Sequence, residues 1–320
     1  MTPRIPPRPA APPGPLARAP ALLADRRAVV VALALLWLLH LVGNALHVAR
    51  DGCGTKLIDA ENQLDFAYQY AAGLHHGGVP AVLQELRCAS REWPPLVQSV
   101  LGLLAAAIDP SVHAVRIYNM LFMAILIVAV YRLGSRAAGP PGGLLAAALC
   151  SLIPGIYGMS RQIGLDFPAA AMTALGAEAL LSTGGFARFR SAAIAGVVVG
   201  LAALTRGQCL LFLIGIGAWQ LVVGRRTPRR TALNGALCVA LAALVSSPWW
   251  WGKLGVLAGT MELHADAQRL PLEGDPSLLG GLKLYLGQMH RLTSGPLLLL
   301  LAPLAVLGLW RTARLRWPLL

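Results

Sequence analysis

The sequence has few charged residues, and acidic residues are especially scarce. Only 13% of the 320 residues are charged, whereas 56% are apolar and the mean hydropathy is +0.62. A soluble domain uses about a quarter charged residues to cover its surface. This shortage excludes an ordinary water-soluble fold. Long apolar runs separated by short charged clusters are typical of a helical membrane protein, in which one span needs about 20 apolar residues.

A basic surface interleaved with aromatic residues is also missing. The net charge is +13, from 27 lysines and arginines against 14 acidic residues, but aromatic residues make up only 6%. The arginines stand at the ends of apolar runs, where they act as topology signals. We therefore expect no nucleic-acid partner and interpret the positive charge as a consequence of membrane insertion.

Clusters of metal ligands are absent from the sequence pattern. The seven histidines are scattered, and the pair His75-His76 has no acidic residue four positions later. The ligands of a metal site normally stand closer together in the sequence than these histidines do. We expect no cofactor and no structural metal, while a loosely held divalent cation at Asp59 or Asp166 stays open.

The five cysteines fall into two groups. Cys150, Cys209 and Cys238 lie within apolar runs and are interpreted as small packing residues. Cys53 and Cys88 share one long polar segment. An oxidising compartment would permit a disulfide between these two residues, but two cysteines do not by themselves establish a pairing.

The apolar runs predict eight membrane spans and one transmembrane domain over residues 25–320. Residues 1–24 are rich in proline, alanine and arginine, which predicts a disordered cytoplasmic tail. Two polar segments, 49–111 and 252–294, are predicted to lie outside. The predicted spans are roughly 28–48, 112–131, 142–159, 167–183, 191–205, 208–223, 232–250 and 295–310.

One short apolar segment decides the predicted topology. The run from Pro95 to Ile108 is about 14 residues long, which fits an interfacial helix better than a span. If it does not cross, the arginine-bearing loops fall on the side of the N-terminus, as the positive-inside rule favours. All acidic residues except Asp25 and Glu178 then lie on or at the outer side. Glu178 falls within a span and is expected to be a protonated or paired packing residue.

The first outer segment predicts two helices at the membrane surface. Asp59 stands where a helix N-cap would stand. Apolar residues follow it at helical spacing, namely Leu64, Ala67, Ala71 and Leu74. The rigid break Glu92-Trp93-Pro94-Pro95-Leu96 then leads into the short apolar helix. The plain interpretation of Asp59 is a cap, and that of Glu61 and Asp65 is a solvated helix face.

An ordered series of short motifs follows this break. The series comprises Ala114-Val115-Arg116, Tyr131-Arg132-Leu133-Gly134, Pro154 with Arg161, Leu165-Asp166-Phe167-Pro168, and Gly200-Leu201 with Leu204-Thr205-Arg206-Gly207. In this order, over about residues 28–310, the sequence resembles the GT-C superfamily of membrane glycosyltransferases. The resemblance is to bacterial relatives of protein mannosyltransferases (glycosyltransferase family 39) and of the aminoarabinose transferase of lipid A. No single motif is specific, so the ordered series carries the resemblance.

The resemblance implies an all-α polytopic membrane protein. The expected fold is a GT-C-like bundle of about eight transmembrane helices with juxtamembrane helices in the first outer loop. The expected location is a bacterial-type plasma (inner) membrane, with a cytoplasmic N-terminus and a periplasmic or extracellular active side. The chain ends at Leu320, just after the eighth predicted span, whereas relatives commonly continue. We therefore expect a C-terminally truncated or compact variant.

The resemblance also implies the reaction. The donor would be a polyprenyl-phosphate sugar, and its sugar would pass to a hydroxyl of a lipid, glycan or protein acceptor with inversion at the anomeric carbon. Membrane lipids would surround the protein as further partners. By position in the series, Asp59 matches the family's catalytic acid. The family's common acidic pair is broken, because Ala60 follows Asp59 and the next acid is Glu61, so Asp65 is a second candidate. Asp166 matches the family's second acidic position, although it could simply cap its span.

Three arginines are candidates to bind the donor phosphate. A lipid-phosphate leaving group is stabilised by arginine forks. Arg161 and Arg206 lie at outer ends of predicted spans, and Arg116 lies near the outer start of the second span. Arg206 takes the place of a lysine common in the family. This keeps the positive charge but changes the geometry of the hydrogen-bond donors that the side chain presents. The plain alternative for Arg116 and Arg206 is anchoring at the headgroups.

Two alternative functions remain at this point. The first is a transporter or lipid flippase subunit, which should show paired halves and broken helices, and no convincing internal repeat is present. The second is a family member without activity.

The Ser247-Pro248-Trp249-Trp250-Trp251 run predicts an aromatic anchor at the outer interface. Stacking on a sugar or on the prenyl chain is a secondary interpretation of this run.

Overall fold

The computed structural model describes residues 25–51, 58–88, 93–108 and 118–250, and all regular structure in these ranges is helical. We number the α-helices in chain order. They are α1 Arg26–Asp51, α2 Ile58–Cys88, α3 Leu96–Ala107, α4 Tyr118–Leu152, α5 Pro154–Met159, α6 Asp166–Ser182, α7 Phe189–Thr205, α8 Cys209–Val223 and α9 Pro228–Trp250, with a 3₁₀ turn at Gly224–Arg226.

Several predictions fall outside the described residues. They concern the tail 1–24, Cys53, Arg116, the outer segment 252–294 and the span 295–310. The division of the chain into a tail and one transmembrane domain therefore stays a prediction.

Three helices are long and apolar enough to cross a membrane, namely α1, α4 and α9. The shorter helices α3, α7 and α8 are also apolar. Five predicted spans correspond to single helices, because α1, α6, α7, α8 and α9 overlap the runs 28–48, 167–183, 191–205, 208–223 and 232–250. The helical membrane class is confirmed for the described residues, whereas the count of eight spans stays a prediction.

Helix α4 contains parts of two predicted spans joined at a sharp kink. Gly139 has a positive φ of 73°, and Pro140 and Pro141 follow it. Glycine adopts this backbone conformation readily, and proline disfavours a helical residue before it. The second half folds back on the first, since a Cβ added at Gly143 would lie 2.5 Å from the carbonyl oxygen of Tyr131.

The predicted span 142–159 is wrong at its end. The second half of α4 stops at Leu152, and the short helix α5 starts at Pro154. Proline lacks the N–H that would continue the preceding helix, and its fixed φ suits the first position of a new one. The chain therefore changes direction at this point, where the sequence shows only a continuing apolar run.

Helices α2 and α3 confirm the two helices predicted in the first polar segment. Helix α2 is longer than predicted, since it continues past a break at Gly78 to Cys88. The two helices pack closely, because a Cβ added at Gly102 of α3 would lie 2.7 Å from the carbonyl oxygen of Ala67 in α2. Between them the buried Gln98 amide donates a hydrogen bond of 2.8 Å to Gln63.

Contacts between α4 and α6 show that the first half of α4 runs in the same direction as α6. Tyr118, the first residue of α4, bonds to Gly164, just before α6. Further along both helices, Arg136 bonds to Glu178. The starts of the two helices therefore lie at one end of the bundle and their later residues at the other.

The remaining helices align with this pair. Helix α8 runs parallel to α6, because Cys209 lies 3.7 Å from Ala169 O and Gln220 lies 3.5 Å from Thr183. Helices α7 and α9 also run parallel to each other, with Gly196 and Gly200 of α7 packed on Cys238 and Val245 of α9 respectively. Small residues allow this close approach of two helices. In α1, Trp37 and Asn44 contact Met120, so its C-terminal half lies beside the start of α4.

The bundle therefore has two chemically different ends. The first, which we call the Asp166 end, contains the last residues of α1, α7 and α9 and the first residues of α4, α6 and α8. We call the opposite one the arginine-rich end. Its described arginines are Arg26, Arg27, Arg132, Arg136, Arg188, Arg190, Arg225, Arg229 and Arg230.

Candidate functional site

Asp166 and Arg206 form an ion pair at the Asp166 end. Arg206 Nη1 donates to Asp166 Oδ1, although the two residues are 40 positions apart. The antiparallel packing of α6 and α7 brings the start of one helix beside the end of the other. The side chain of Asp166 is 64% exposed and that of Arg206 is 37% exposed, so both can be reached from outside the bundle.

The structure does not support the capping alternative for Asp166. The N-cap of α6 is Leu165, and no side-chain cap hydrogen bond is present there. Asp166 is the first helical residue, where a negative charge is favoured by the helix dipole. Its side chain bonds to Arg206 instead of the backbone at the start of its own helix.

The connection between α5 and α6 is held by two side chains at the start of α4. The Tyr118 hydroxyl donates to Gly164 O at 2.8 Å and accepts from Gly164 N at 3.1 Å. Asn119 Nδ2 donates to Gln162 O at 2.7 Å. These bonds order the segment that begins with Arg161 and leads to the first residue of α6.

Arg161 lies at the same end and packs on Tyr157. Its Cζ atom is 3.9 Å from the centroid of the Tyr157 ring, and its Nη2 donates to the Tyr157 hydroxyl. A guanidinium over an aromatic face is a favourable cation–π arrangement. Within the described residues Arg161 makes no ion pair with Asp166, so the two arginines occupy separate positions at this end.

Two polar residues of α1 complete this region, and sequence reasoning missed both. His40 and Asn44 are buried. The His40 ring lies 5.5 Å from the Tyr157 ring, and Asn44 Nδ2 lies 3.5 Å from Ser160 Oγ. Their spacing of four places them on one helix face. That spacing inside an apolar run was the available signal, since polar groups within a span are functional candidates.

The aromatic-anchor prediction is wrong for Trp249. Trp249 is buried, and its ring lies edge to face with the Trp250 ring at 4.8 Å between ring centroids. A Cβ added at Gly207 would lie 3.2 Å from the Trp250 ring, so this ring packs directly over Gly207, next to Arg206. Trp250 therefore packs against the residue that follows Arg206 at the end of α7, and Trp251 lies outside the described residues.

The acidic residues of α2 are less completely described. Helix α2 begins at Ile58, so Asp59 lies in its first turn, and the N-cap prediction for it is wrong. The side chains of Asp59 and Cys88 lie outside the described residues. Glu61 and Asp65 are exposed, and Asp65 accepts a 3.0 Å hydrogen bond from Gln69. Among described residues, neither Glu61 nor Asp65 pairs with an arginine.

A family model for dolichyl-phosphate-mannose-protein mannosyltransferase matches residues 92–251, half of the chain. The chain belongs to this family. It matches no curated protein, and no solved structure matches it either. Membership confirms the GT-C resemblance and makes the protein a membrane glycosyltransferase of the GT-C type.

The family match divides the candidate residues of this GT-C protein. The matched region includes Arg161, Asp166 and Arg206, which the structure places at one end of the bundle. It also includes Arg116, which lies outside the described residues. The match begins after the acidic candidates of α2, so their assignment depends on the motif series alone.

Glu178 of this GT-C protein forms ion pairs. This is one of the two alternatives expected from the sequence, a protonated residue or a paired one. Its Oε1 lies 2.9 Å from Arg132 Nε and 2.9 Å from Arg136 Nη2. It also accepts a 2.8 Å hydrogen bond from Ser182. Only 5% of the Glu178 side chain is exposed, so its carboxylate is closed to a large ligand, whereas Arg132 and Arg136 are half-exposed.

Cys150, Cys209 and Cys238 are free thiols, and the last two are buried, as the packing interpretation predicts. Across the ranges that the structure describes, no three His, Cys, Asp or Glu side chains are grouped to hold a metal ion. The candidate groups that the structure describes at the Asp166 end are the Asp166 carboxylate and the guanidinium groups of Arg161 and Arg206.

Proposed function

We propose that the protein transfers a sugar from a polyprenyl-phosphate donor to an acceptor hydroxyl, at the Asp166 end of the bundle. The family match supports the reaction class. The observation that carries the location is the exposed Asp166–Arg206 pair, with Arg161 held at the same end. Acceptors of three kinds, a lipid, a glycan or a protein, offer such a hydroxyl.

The distribution of arginines supports a non-cytoplasmic position for this end. Basic residues are enriched on the cytoplasmic side of membrane proteins. The described arginines of the Asp166 end are Arg50, Arg161 and Arg206, and the last two bind side chains of the protein. The remaining described arginines of the bundle helices lie at the opposite end. The N-terminus then lies in the cytoplasm, and we propose that the membrane is a plasma membrane of bacterial type.

The proposed reaction is a displacement at the anomeric carbon. The acceptor oxygen forms a bond to that carbon while the bond from the carbon to the phosphate oxygen breaks, and the lipid phosphate leaves with the electron pair. The acceptor proton passes to a carboxylate. Asp59 is our first candidate for this base and Asp65 is the second. Glu61, which lies between these two residues in α2, is the remaining acidic candidate.

We assign a different role to Asp166. Its charge is already matched by Arg206, with which it shares an ion pair. A carboxylate held in this way is suited to orienting the guanidinium, whereas a base needs to face the acceptor hydroxyl. Asp166 therefore positions Arg206.

The guanidinium groups bind the leaving phosphate. Negative charge grows on the phosphate as the sugar departs, and donors already in place stabilise this charge without reorganisation. Arg206 is partly exposed and fixed on one side by Asp166. Arg161 is fixed by Tyr157. Arg116 is the third proposed ligand.

The test uses the full chain in lipid nanodiscs with a panel of radiolabelled polyprenyl-phosphate sugars. We expect wild type to hydrolyse or transfer one donor and Arg206→Ala to lose this activity. The matched control is Arg190→Ala, an exposed arginine at the opposite end, which should retain it. Comparison of Asp59→Asn with Asp65→Asn and Glu61→Gln identifies the base.

Two results would contradict the proposal in different ways. Donor binding without turnover in any preparation would indicate an inactive relative. Absence of binding to every donor would remove the glycosyl-transfer proposal and favour a transporter or flippase subunit.

A further inference from the structure

Helix α1 has a recess into which Tyr157 fits. A Cβ added at Gly43 would lie 2.6 Å from the Tyr157 hydroxyl oxygen. This separation is shorter than real Cβ contacts, so any larger residue at position 43 must displace the tyrosine. The glycine therefore lets the hydroxyl lie directly on the backbone of α1.

His40 forms the second wall of this recess. It lies one turn before Gly43 on the same face of α1. Its ring is 5.5 Å from the Tyr157 ring, with a tilt of 60° between the two planes. His40 is buried, and neither ring nitrogen has a hydrogen-bond partner among the described residues. We call His40 and Gly43 the α1 recess.

Tyr157 in turn holds Arg161 through two contacts. Its ring lies under the guanidinium at 3.9 Å, and its hydroxyl accepts a hydrogen bond from Nη2. The plane and one edge of the guanidinium are thereby both restrained by one residue. Since Tyr157 rests on α1, the orientation of Arg161 depends on a helix far from it in sequence.

One donor of Arg161 is left for a ligand. Its Nε–H is buried and has no protein partner within the described residues. Buried N–H groups are paired in the large majority of cases. An arginine whose plane is fixed and whose Nε donor is unpaired is arranged to bind an oxyanion such as a phosphate.

We propose that Tyr157 is a positioning residue for the lipid phosphate: seated in the α1 recess, it orients Arg161 toward a phosphate oxygen of the donor. This inference rests on the proposed function and adds residues of α1 and α5 to it. Tyr157 acts through Arg161 and does not itself contact the reacting atoms.

The experiment measures binding of radiolabelled polyprenyl phosphate, and of the donor that is turned over, to the full chain in nanodiscs. Tyr157→Phe removes the acceptor oxygen and keeps the ring. Gly43→Ala displaces Tyr157 without changing it. Gly215→Ala is the matched control, because the space beside Gly215 in α8 is empty within 4 Å. Thermal unfolding of each variant reports its folding.

We expect Tyr157→Phe and Gly43→Ala each to weaken phosphate binding about tenfold, as for loss of a hydrogen bond to a charged group. Gly215→Ala should bind as wild type does. In an Arg161→Ala background neither substitution should weaken binding further, because residues that act as one unit are not additive. A merely structural role would lower stability and affect binding equally in both backgrounds.

The outcomes separate this inference from the proposed function. Wild-type affinity in Tyr157→Phe and Gly43→Ala, or in Arg161→Ala, overturns the inference while glycosyl transfer stands. Additive losses with Arg161→Ala also overturn it. If wild type binds polyprenyl phosphate but turns over no donor, the proposed function fails and the binding series still tests Tyr157. If wild type does not bind polyprenyl phosphate, both fail.

Discussion

Helix α6 carries one carboxylate near each end, and each is paired with arginine in a different environment. Glu178 is 5% exposed and bonds to two arginines and a serine hydroxyl. Asp166 is 64% exposed and pairs with one arginine. In the first cluster the carboxylate is closed off and satisfied inside the protein, and only its arginines are half-exposed. The second pair is open at its carboxylate as well, so a charged ligand can reach both of its members.

The comparison indicates that the same type of ion pair serves two purposes. Removing one member of a buried pair leaves an uncompensated charge and is strongly destabilising. An exposed pair contributes little to stability, about 0–1 kcal/mol. Substitutions at the arginine-rich end should therefore change folding, and those at the Asp166 end should change activity.

Arg206→Ala should give the largest functional loss. We expect donor turnover to fall about 100- to 1,000-fold, the range seen when one donor to a developing negative charge is removed. Unfolding temperature should change little, since the lost pair is exposed. Turnover in nanodiscs with the panel of donors measures the first effect. Wild-type turnover in this variant would contradict the proposed role of Arg206 in binding the leaving phosphate, and Arg206→Lys should retain partial activity.

Glu178→Ala should give the largest loss of stability. We expect about 2–3 kcal/mol, somewhat below the value for a fully buried pair because Arg132 and Arg136 are half-exposed. Chemical denaturation in detergent measures the change. Asp166→Asn is the matched control and should cost less than about 1 kcal/mol. Equal destabilisation by the two substitutions would contradict the distinction between closed and open pairs.

Gly185→Ala tests the arginine-rich end without altering a charge. Gly185 has a positive φ of 73° and packs on Gly224, with the added Cβ 2.7 Å from its backbone nitrogen. Both strain and close approach oppose a side chain, so we expect a loss of about 2 kcal/mol in unfolding free energy. The folded fraction should keep wild-type turnover per molecule. A selective loss of turnover would show that this end also takes part in catalysis.

Gly207→Ala is the corresponding glycine substitution at the Asp166 end. The added Cβ would lie 3.2 Å from the Trp250 ring, so this ring must move by a few tenths of an ångström. We expect the free energy of unfolding to change by less than about 1 kcal/mol, because a small movement of the Trp250 side chain relieves the close contact. Turnover should fall about threefold, because small misplacements beside reacting groups reduce rates. Trp250→Phe, which leaves more space, should restore turnover in the double variant.

Much of the fold could be predicted because the bilayer permits few structures. Backbone groups in hydrocarbon must be bonded within their own segment, so long apolar runs form helices. The bounds of α1, α6, α7, α8 and α9 follow their apolar runs closely. The interruption between Leu152 and Pro154 was missed, because the residues on both sides are apolar and a window of hydropathy does not register a single proline.

The candidate site was predictable as a set of residues but not as an arrangement. Asp166 and Arg206 were identified through motif positions, and their contact was not, because it depends on α6 and α7 running antiparallel. Trp249 was interpreted as an anchor, since an aromatic residue at a span end looks the same whether it faces lipid or protein. His40 was set aside as an isolated histidine, and only the position of Tyr157 connects it to Arg161.

The amino-acid sequence is sufficient to show that this is a helical membrane protein, which runs are helices, and how basic and acidic residues divide along the chain. These properties are local or compositional, and the bilayer acts on them directly. Which charges meet is visible only in the folded protein, where Asp166 pairs with Arg206 through an exposed carboxylate and Glu178 pairs with Arg132 and Arg136 through a buried one. Pairing depends on the direction and rotation of each helix, and these are set by packing among residues far apart in sequence.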